Sequence, residues 1–291
     1  MKDTSIRTYL LWAFGLAWPL QGLASWLAQR GSTTGFTLVL AASMFAPLAA
    51  ALLAKAPFRS FGWKPRLRGR LRWFLAAWFM PALLASLGAA LYYRLVPASF
   101  DGTGASYLAT LPAEAQEQLQ AQGVPFGVLL LGSVFAAVGY APWINMIPSL
   151  GEEIGWRGFL YPRLKERFGR VRGLLLGGAI WGAWHWPVMI LAGYEYGKVY
   201  WGAPLSGMLL FCVVTAALGV LLDFVYEKTG CIWAPALGHG AFNAFAAIPT
   251  TLLVPAYADR LLVGPLVIGA VGGLPMFLLA ALLLGRKEEK A

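Results

Sequence analysis

Long apolar runs separated by short polar connections account for most of this chain. We interpret about eight of them as membrane spans, because about 20 consecutive apolar residues cross a bilayer as a helix. They cover residues 8–29, 34–54, 73–95, 125–150, 173–193, 203–225, 231–254 and 262–284. The pattern predicts an all-α polytopic membrane protein with about eight transmembrane helices.

The spans divide the chain into three parts. Residues 1–124 hold the first three predicted helices, a basic inner connection and an acidic outer connection. Residues 125–255 hold predicted helices four to seven, and residues 256–291 hold the eighth helix and a short tail. The central part is the one that carries candidate chemistry.

Three short polar patterns lie in or beside the apolar runs of this central part. They are Glu152-Glu153-x-x-x-Arg157, Trp181-x-x-x-His185 and His239-x-x-x-Asn243, and they include both histidines of the chain. An ionisable side chain inside a membrane segment is costly, so its presence indicates a functional site by default. Three such patterns on three segments predict one shared site.

Composition and charge narrow the class of protein. The chain is 59% hydrophobic and 12% charged, whereas soluble domains carry about 25% charged residues. The net charge of +10 could indicate a nucleic-acid partner, but the basic residues crowd the connections at 55–72 and 157–172. With both termini inside, the outer side keeps only Arg30, Arg94, Lys198 and Arg260.

This asymmetry follows the positive-inside rule. We therefore expect an integral, multi-pass protein of a bacterial inner membrane, with cytoplasmic N- and C-termini. The basic connections suit anionic lipid headgroups. Membrane lipids are expected partners and nucleic acid is not.

The two adjacent glutamates are predicted to have different roles, because successive helical side chains point about 100° apart. Glu153 and Arg157 have the i, i+4 spacing and acid-first order that favour an ion pair, so both are assigned to structure. Glu152 lacks such a partner in its own helix and is expected to face the site, with Asn145 two turns earlier on the same face. Taken alone, the motif fits two solvated glutamates at the inner membrane surface equally well.

The two histidines also have plain structural interpretations. Trp181 lies one turn before His185, so its indole can pack against the imidazole, but His185 alone fits a buried histidine bonded to a carbonyl. His239 and Asn243 share a helix face, which also fits hydrogen bonding between helices. Small residues that let helices approach closely flank the motifs: Gly151, Gly155, Gly158, Gly177, Gly178, Gly182, Gly238 and Gly240.

One carboxylate, two imidazoles and one amide together suit the hydrolysis of an amide bond. Glu152 would take a proton from water as general base, and His185 would orient that water. His239 and Asn243 would donate hydrogen bonds to the oxyanion. No Ser or Cys lies beside a histidine in a nucleophile motif, so a covalent mechanism is disfavoured.

A metal-dependent alternative uses the same residues. Glu152, His185 and His239 could hold Zn²⁺ with an open position, since two histidines and a carboxylate form an accepted catalytic set. The chain has no HExxH pattern and no further histidine. The metal-free mechanism is favoured, and no cofactor is expected.

The order and spacing of the three motifs resemble the CPBP family of intramembrane proteases. This is the CAAX-protease and bacteriocin-processing group, also called Abi, to which the type II CAAX prenyl endopeptidases are related. Its pattern is EExxxR, FxxxH and HxxxN or HxxxD, and Trp181 replaces the usual Phe here. The match covers about residues 150–250.

The resemblance implies an eight-helix core whose cavity opens toward the cytoplasm. It implies a glutamate-dependent endopeptidase in which Glu152 and His185 activate water, while His239 and Asn243 form the oxyanion hole. Substrates in such a family are prenylated CaaX proteins in one branch and bacteriocins or other peptides in another.

Two other classes of function remain open at this stage. A non-catalytic bacteriocin-immunity protein or scaffold could share the fold, and its effect would survive substitution of the polar set. A transporter could relay protons through the buried Glu and His. Clustering of the polar groups at one depth disfavours the transporter, because a path across the membrane would spread them out.

Overall fold

The computed structural model describes residues 4–286 and is helical almost throughout. Within this range it contains no β-strand, and a single bridge pairs Phe100 with Leu253. The α-helices are α1 Thr4–Gln29, α2 Thr33–Ser43, α3 Ala46–Leu53, α4 Leu71–Leu95, α5 Ala105–Leu108, α6 Ala113–Ala121, α7 Phe126–Gly139, α8 Ala141–Gly155, α9 Tyr161–Phe168, α10 Arg170–Trp184, α11 Trp186–Ala192, α12 Leu205–Thr229, α13 Trp233–Phe245 and α14 Leu274–Leu284. The predicted tail extends beyond the described residues.

Several of these helices are long and apolar enough to cross a membrane. Five stretches qualify: Ser5–Gln29, Thr33–Leu53, Leu71–Leu95, Arg170–Ala192 and Leu205–Thr229. A sixth is reached if α6 and α7, which meet at a bend of 112°, form one span. The fold is therefore an all-α polytopic membrane fold, as predicted.

The predicted count of eight spans is not confirmed in the described residues. The apolar run at 125–150 divides at Tyr140, where α7 ends and α8 begins. Helix α13 has 13 residues and α14 has 11, which correspond to roughly 20 Å or less at 1.5 Å per residue. Apolarity alone does not reveal such breaks, because a broken helix pair and a continuous span have the same composition.

Two of the helices that carry the polar motifs, α8 and α13, pack directly against each other. Helix α13 lies between α8 and α4, and α10 packs along α12. A Cβ on Gly240 would lie 2.5 Å from the carbonyl oxygen of Pro142 in α8, and one on Gly178 would lie 2.2 Å from Cα of Ala216 in α12. The prediction that glycines allow close helix approach beside the motifs is confirmed at both positions.

Candidate active site

The first motif lies at the end of α8, in the interior of the molecule. Glu152 is 1% exposed and Glu153 is 0% exposed. Immediately afterwards the chain forms a π-helical turn, Trp156–Leu160, before α9 begins. Such turns are rare and frequently mark functional sites. Because both glutamates are buried, the alternative of two solvated glutamates is wrong.

Glu152 is held by two tryptophan indoles. Its Oε2 accepts a hydrogen bond of 3.0 Å from Nε1 of Trp156 and one of 2.7 Å from Nε1 of Trp181. The expectation that Glu152 has no partner in its own helical segment is wrong, because Trp156 follows it at i+4. Only charged side chains were expected to pair with Glu152, whereas an indole N–H also donates hydrogen bonds.

Glu153 joins the first motif to the third. Its Oε1 accepts from a terminal nitrogen of Arg157 at 3.0 Å, which is the predicted ion pair. The same oxygen accepts from Nδ1 of His239 at 2.9 Å. Arg157 is 0% exposed and also contacts the carbonyl oxygen of Gly219 at 3.4 Å. Glu153 therefore has a structural bond and a direct contact with a predicted site histidine.

Trp181 is the residue on which the motifs converge. Besides its bond to Glu152, its ring meets the imidazole of His239 edge to face, with centroids 5.2 Å apart. The centroid of the His185 ring is 6.5 Å away, and the guanidinium carbon of Arg157 lies 4.7 Å from the Trp181 ring centroid. The structure thus gathers the three motifs around one buried indole.

His185 lies at a break between two helices. Helix α10 ends at Trp184 and α11 begins at Trp186, with Pro187 in its first turn. Nδ1 of His185 lies 3.0 Å from the carbonyl oxygen of Trp181. A carbonyl can only accept, so Nδ1 carries the proton, and in the neutral imidazole Nε2 carries the lone pair.

Neither of the two asparagines makes a recorded contact with Glu152 or a histidine among the described residues. Asn145 donates to the carbonyl oxygen of Ala141 at 3.0 Å, within its own helix. Asn243 lies one turn after His239 on α13, and its side chain is exposed. The predicted roles of Asn145 and Asn243 thus stay predictions.

Tyr194, which belongs to none of the three motifs, lies beside His185. The Tyr194 ring is nearly parallel to the His185 imidazole, at 3° and with centroids 6.5 Å apart. Burial raises the pKa of the neighbouring Glu195 to about 7, and a hydrogen bond from Tyr194 offsets part of this rise. Glu195 also has a left-handed backbone, with φ of 73°. No motif spacing points to this pair, because both residues follow α11 in a connecting segment.

The zinc alternative requires three ligands to converge. Between residues 4 and 286, no group of three or more His, Cys, Asp or Glu side chains has an arrangement that could hold a metal ion. Nδ1 of His239 and Oε2 of Glu152 are each engaged by protein partners. The metal-free prediction and the zinc alternative therefore both stay predictions.

The central part of the chain is similar to a known protein family. Residues 134–245 match the family described as "Type II CAAX prenyl endopeptidase Rce1-like". The segment is therefore similar to this family, and we call residues 134–245 the Rce1-like segment. The family resemblance drawn from the three motifs is thereby confirmed, and the Rce1-like segment contains every residue of those motifs. It runs from within α7 to the end of α13.

One curated relative shows a short local similarity. "CAAX prenyl protease 2" of Methanococcus maripaludis is 35% identical over 55 residues, which is 19% of this chain and 20% of that protein. The matched region thus spans about a fifth of the length of this relative. The similarity to this protease is therefore local.

The buried ion pair of the Rce1-like segment gives a stability prediction. Glu153→Gln leaves the Arg157 guanidinium buried without a counter-ion, which typically costs about 3–5 kcal/mol. We expect a marked fall in the thermal unfolding midpoint of the purified protein in detergent. Glu166→Gln, at an exposed position in α9, is the control and should change stability by less than about 0.5 kcal/mol. Equal midpoints for the two variants would contradict the structural role of Glu153.

Proposed function

We propose that this protein is an intramembrane endopeptidase that hydrolyses a peptide bond of a membrane-associated substrate without a metal. The observation that carries the proposal is the bond from the Trp181 indole to the buried Glu152, because the same indole contacts both histidines. A carboxylate and two imidazoles around one ring form an acid–base set. The match of this segment to a family of prenyl endopeptidases supports the same chemistry.

Glu152 acts as the general base. Both of its recorded hydrogen bonds go to Oε2, which leaves Oε1 for water. The two indole donors fix the carboxylate orientation, so the reacting water meets a preorganised base. Glu152 takes one proton from this water, and the oxygen attacks the carbonyl carbon of the substrate.

His185 holds the attacking water as a neutral imidazole. Its Nδ1 proton is directed to the Trp181 carbonyl, so Nε2 presents a lone pair that accepts a hydrogen bond from water. The three surrounding rings keep the imidazole in place: those of Trp184, Tyr194 and Phe211. His185 thus orients the water and does not need to carry a charge.

His239 and Asn243 stabilise the oxyanion. Because Nδ1 of His239 donates to Glu153, Nε2 can donate to an oxyanion only when the imidazole is protonated. The exposed amide of Asn243 lies one turn further along α13 and can supply a second donor to the same oxygen. Collapse of the intermediate breaks the C–N bond, and the proton taken by Glu152 passes to the departing amine.

The substrate is a membrane protein or a lipidated peptide. The family description and the name of the archaeal relative both refer to CAAX prenyl substrates, which favours a prenylated CaaX-like protein over a bacteriocin or another peptide. The protein is placed by this proposal in a bacterial inner membrane. The distribution of its Lys and Arg residues favours cytoplasmic N- and C-termini.

A proteomic comparison of membranes tests this proposal. Cells carrying the wild type and cells carrying Glu152→Gln are compared by mass spectrometry for new protein termini. We expect cleaved termini in the wild-type membranes that are absent from the variant. Identical sets of termini at equal protein levels would reject the peptidase and favour the non-catalytic immunity protein.

Chelation distinguishes the metal-free mechanism from the zinc alternative. We expect purified enzyme to keep its full rate of peptide cleavage after dialysis against a strong chelator, because the proposed base and oxyanion donors are side chains. Elemental analysis of the same sample is expected to show substoichiometric zinc. A stoichiometric metal, with activity lost on chelation and restored by Zn²⁺, would replace the glutamate mechanism with the zinc one.

A further inference from the structure

The helix break around His185 is completed by a residue from another part of the chain. In an uninterrupted α-helix, the N–H of Val188 would donate to the carbonyl of Trp184, four residues earlier. Here both groups bond to the side chain of Gln21. Gln21 Nε2 donates to the Trp184 oxygen at 2.9 Å, and Val188 N donates to Gln21 Oε1 at 3.4 Å. The Gln21 amide thus takes the place of one backbone hydrogen bond of the helix.

Gln21 belongs to α1 and is 0% exposed. Helix α1 makes two further contacts with the same region. The Trp184 indole donates to the carbonyl oxygen of Ala13 at 3.0 Å, and Gln29 donates to that of Leu191 at 3.2 Å. These contacts follow the same order along α1 and along the broken helix, so the two segments run side by side. Of these contacts, those of Gln21 reach backbone groups on both sides of His185.

We propose that Gln21 is a positioning residue for His185, which it holds at the open helix break. Pro187 has no backbone N–H to donate, and its ring excludes the carbonyl four residues earlier, which opens the helix at this point. The Gln21 amide satisfies the Trp184 carbonyl and the Val188 N–H at this opening. Without the Gln21 amide, the Val188 N–H would bond directly to the Trp184 carbonyl, or both of these buried groups would stay unpaired.

Either change would move His185, because that residue lies between the two bonded positions. Its catalytic consequence rests on the proposed function, since His185 orients the attacking water there. Gln21 lies outside the Rce1-like segment of residues 134–245. The N-terminal helix therefore contributes to the geometry of a site whose motifs all lie elsewhere in the chain.

The chain has two histidines, so the surroundings of the His185 imidazole can be measured directly by NMR. Protein labelled with ¹⁵N-histidine gives imidazole signals from His185 and His239, which a His239→Asn variant assigns. We expect Gln21→Met to shift the His185 signals and leave those of His239 unchanged. Gln29→Met, which removes an exposed contact of the same helix, should change neither. Gln21→Glu keeps the side-chain volume but faces the Trp184 carbonyl with an oxygen, so it should also shift His185 if the methionine variant does not fold.

The second measurement is peptide cleavage by the same folded samples. We expect kcat of Gln21→Met to fall by about 100-fold, the effect of a misplacement of roughly 1 Å, while KM changes much less. Unchanged His185 signals in both folded Gln21 variants would overturn the proposal, and so would shifted signals with a wild-type kcat. A wild type without peptidase activity, but with the expected shift in Gln21→Met, would reject the proposed function and leave the positioning of His185 supported.

Discussion

Glu152→Gln is expected to abolish peptide cleavage while the protein stays folded. The glutamine oxygen can still accept from the indoles of Trp156 and Trp181, so the packing around the site is kept. The amide cannot take a proton from water. Loss of a general base typically costs 10²- to 10⁴-fold, and we expect kcat to fall by about 1,000-fold or more. Initial rates on a membrane-embedded peptide, with enzyme concentration corrected for folded protein, provide the measurement.

The neighbouring glutamate supplies a matched comparison. Glu152→Gln should lose activity with little change in stability, whereas Glu153→Gln should lose stability because Arg157 is left unpaired. Glu117→Gln, at an exposed position in α6, should change neither property. Full activity in Glu152→Gln would exclude Glu152 as the base, and a large loss of stability would show that its carboxylate is structural.

His239→Asn is expected to reduce kcat by about 100- to 1,000-fold, the usual effect of removing one oxyanion donor. The asparagine amide occupies nearly the position of Nδ1, so it can keep the hydrogen bond to Glu153. It has no group in the position of Nε2, which is the atom assigned to the oxyanion. The variant should therefore stay folded, with KM nearly unchanged. Steady-state kinetics measure kcat and KM, and a thermal unfolding curve shows whether the variant stays folded.

His185→Asn is the corresponding change at the other histidine. Its amide can keep the bond to the Trp181 carbonyl, and the loss of Nε2 removes the acceptor for water. Since the chain has no other histidine, neither loss can be compensated by a neighbouring imidazole. A wild-type kcat in His239→Asn would reject its role at the oxyanion and leave it a link between α13 and Glu153.

Periodicity and spacing predicted the local parts of this site well. The i, i+4 pair of Glu153 and Arg157 is present because its geometry depends only on the helix. The partner of Glu153 on α13 could not be predicted, since His239 is 86 residues away in the chain and no local pattern encodes the register between α8 and α13. The indole donors of Glu152 were missed for a chemical reason, because only charged side chains were considered as partners for its carboxylate.

The amino-acid sequence by itself determined the membrane class, the helical fold and the identity of the three polar motifs. These depend on the solvation of side chains and on helical periodicity, both of which are local. Only the tertiary structure decided which oxygen each donor reaches, which nitrogen of each histidine is left for chemistry, and where the long apolar runs break. The role of Gln21 belongs to this second group. Its amide can bridge Trp184 and Val188 only after α1 packs beside the helix break. Hydrogen bonds act over about 3 Å, whereas these residues are more than 160 positions apart in the chain.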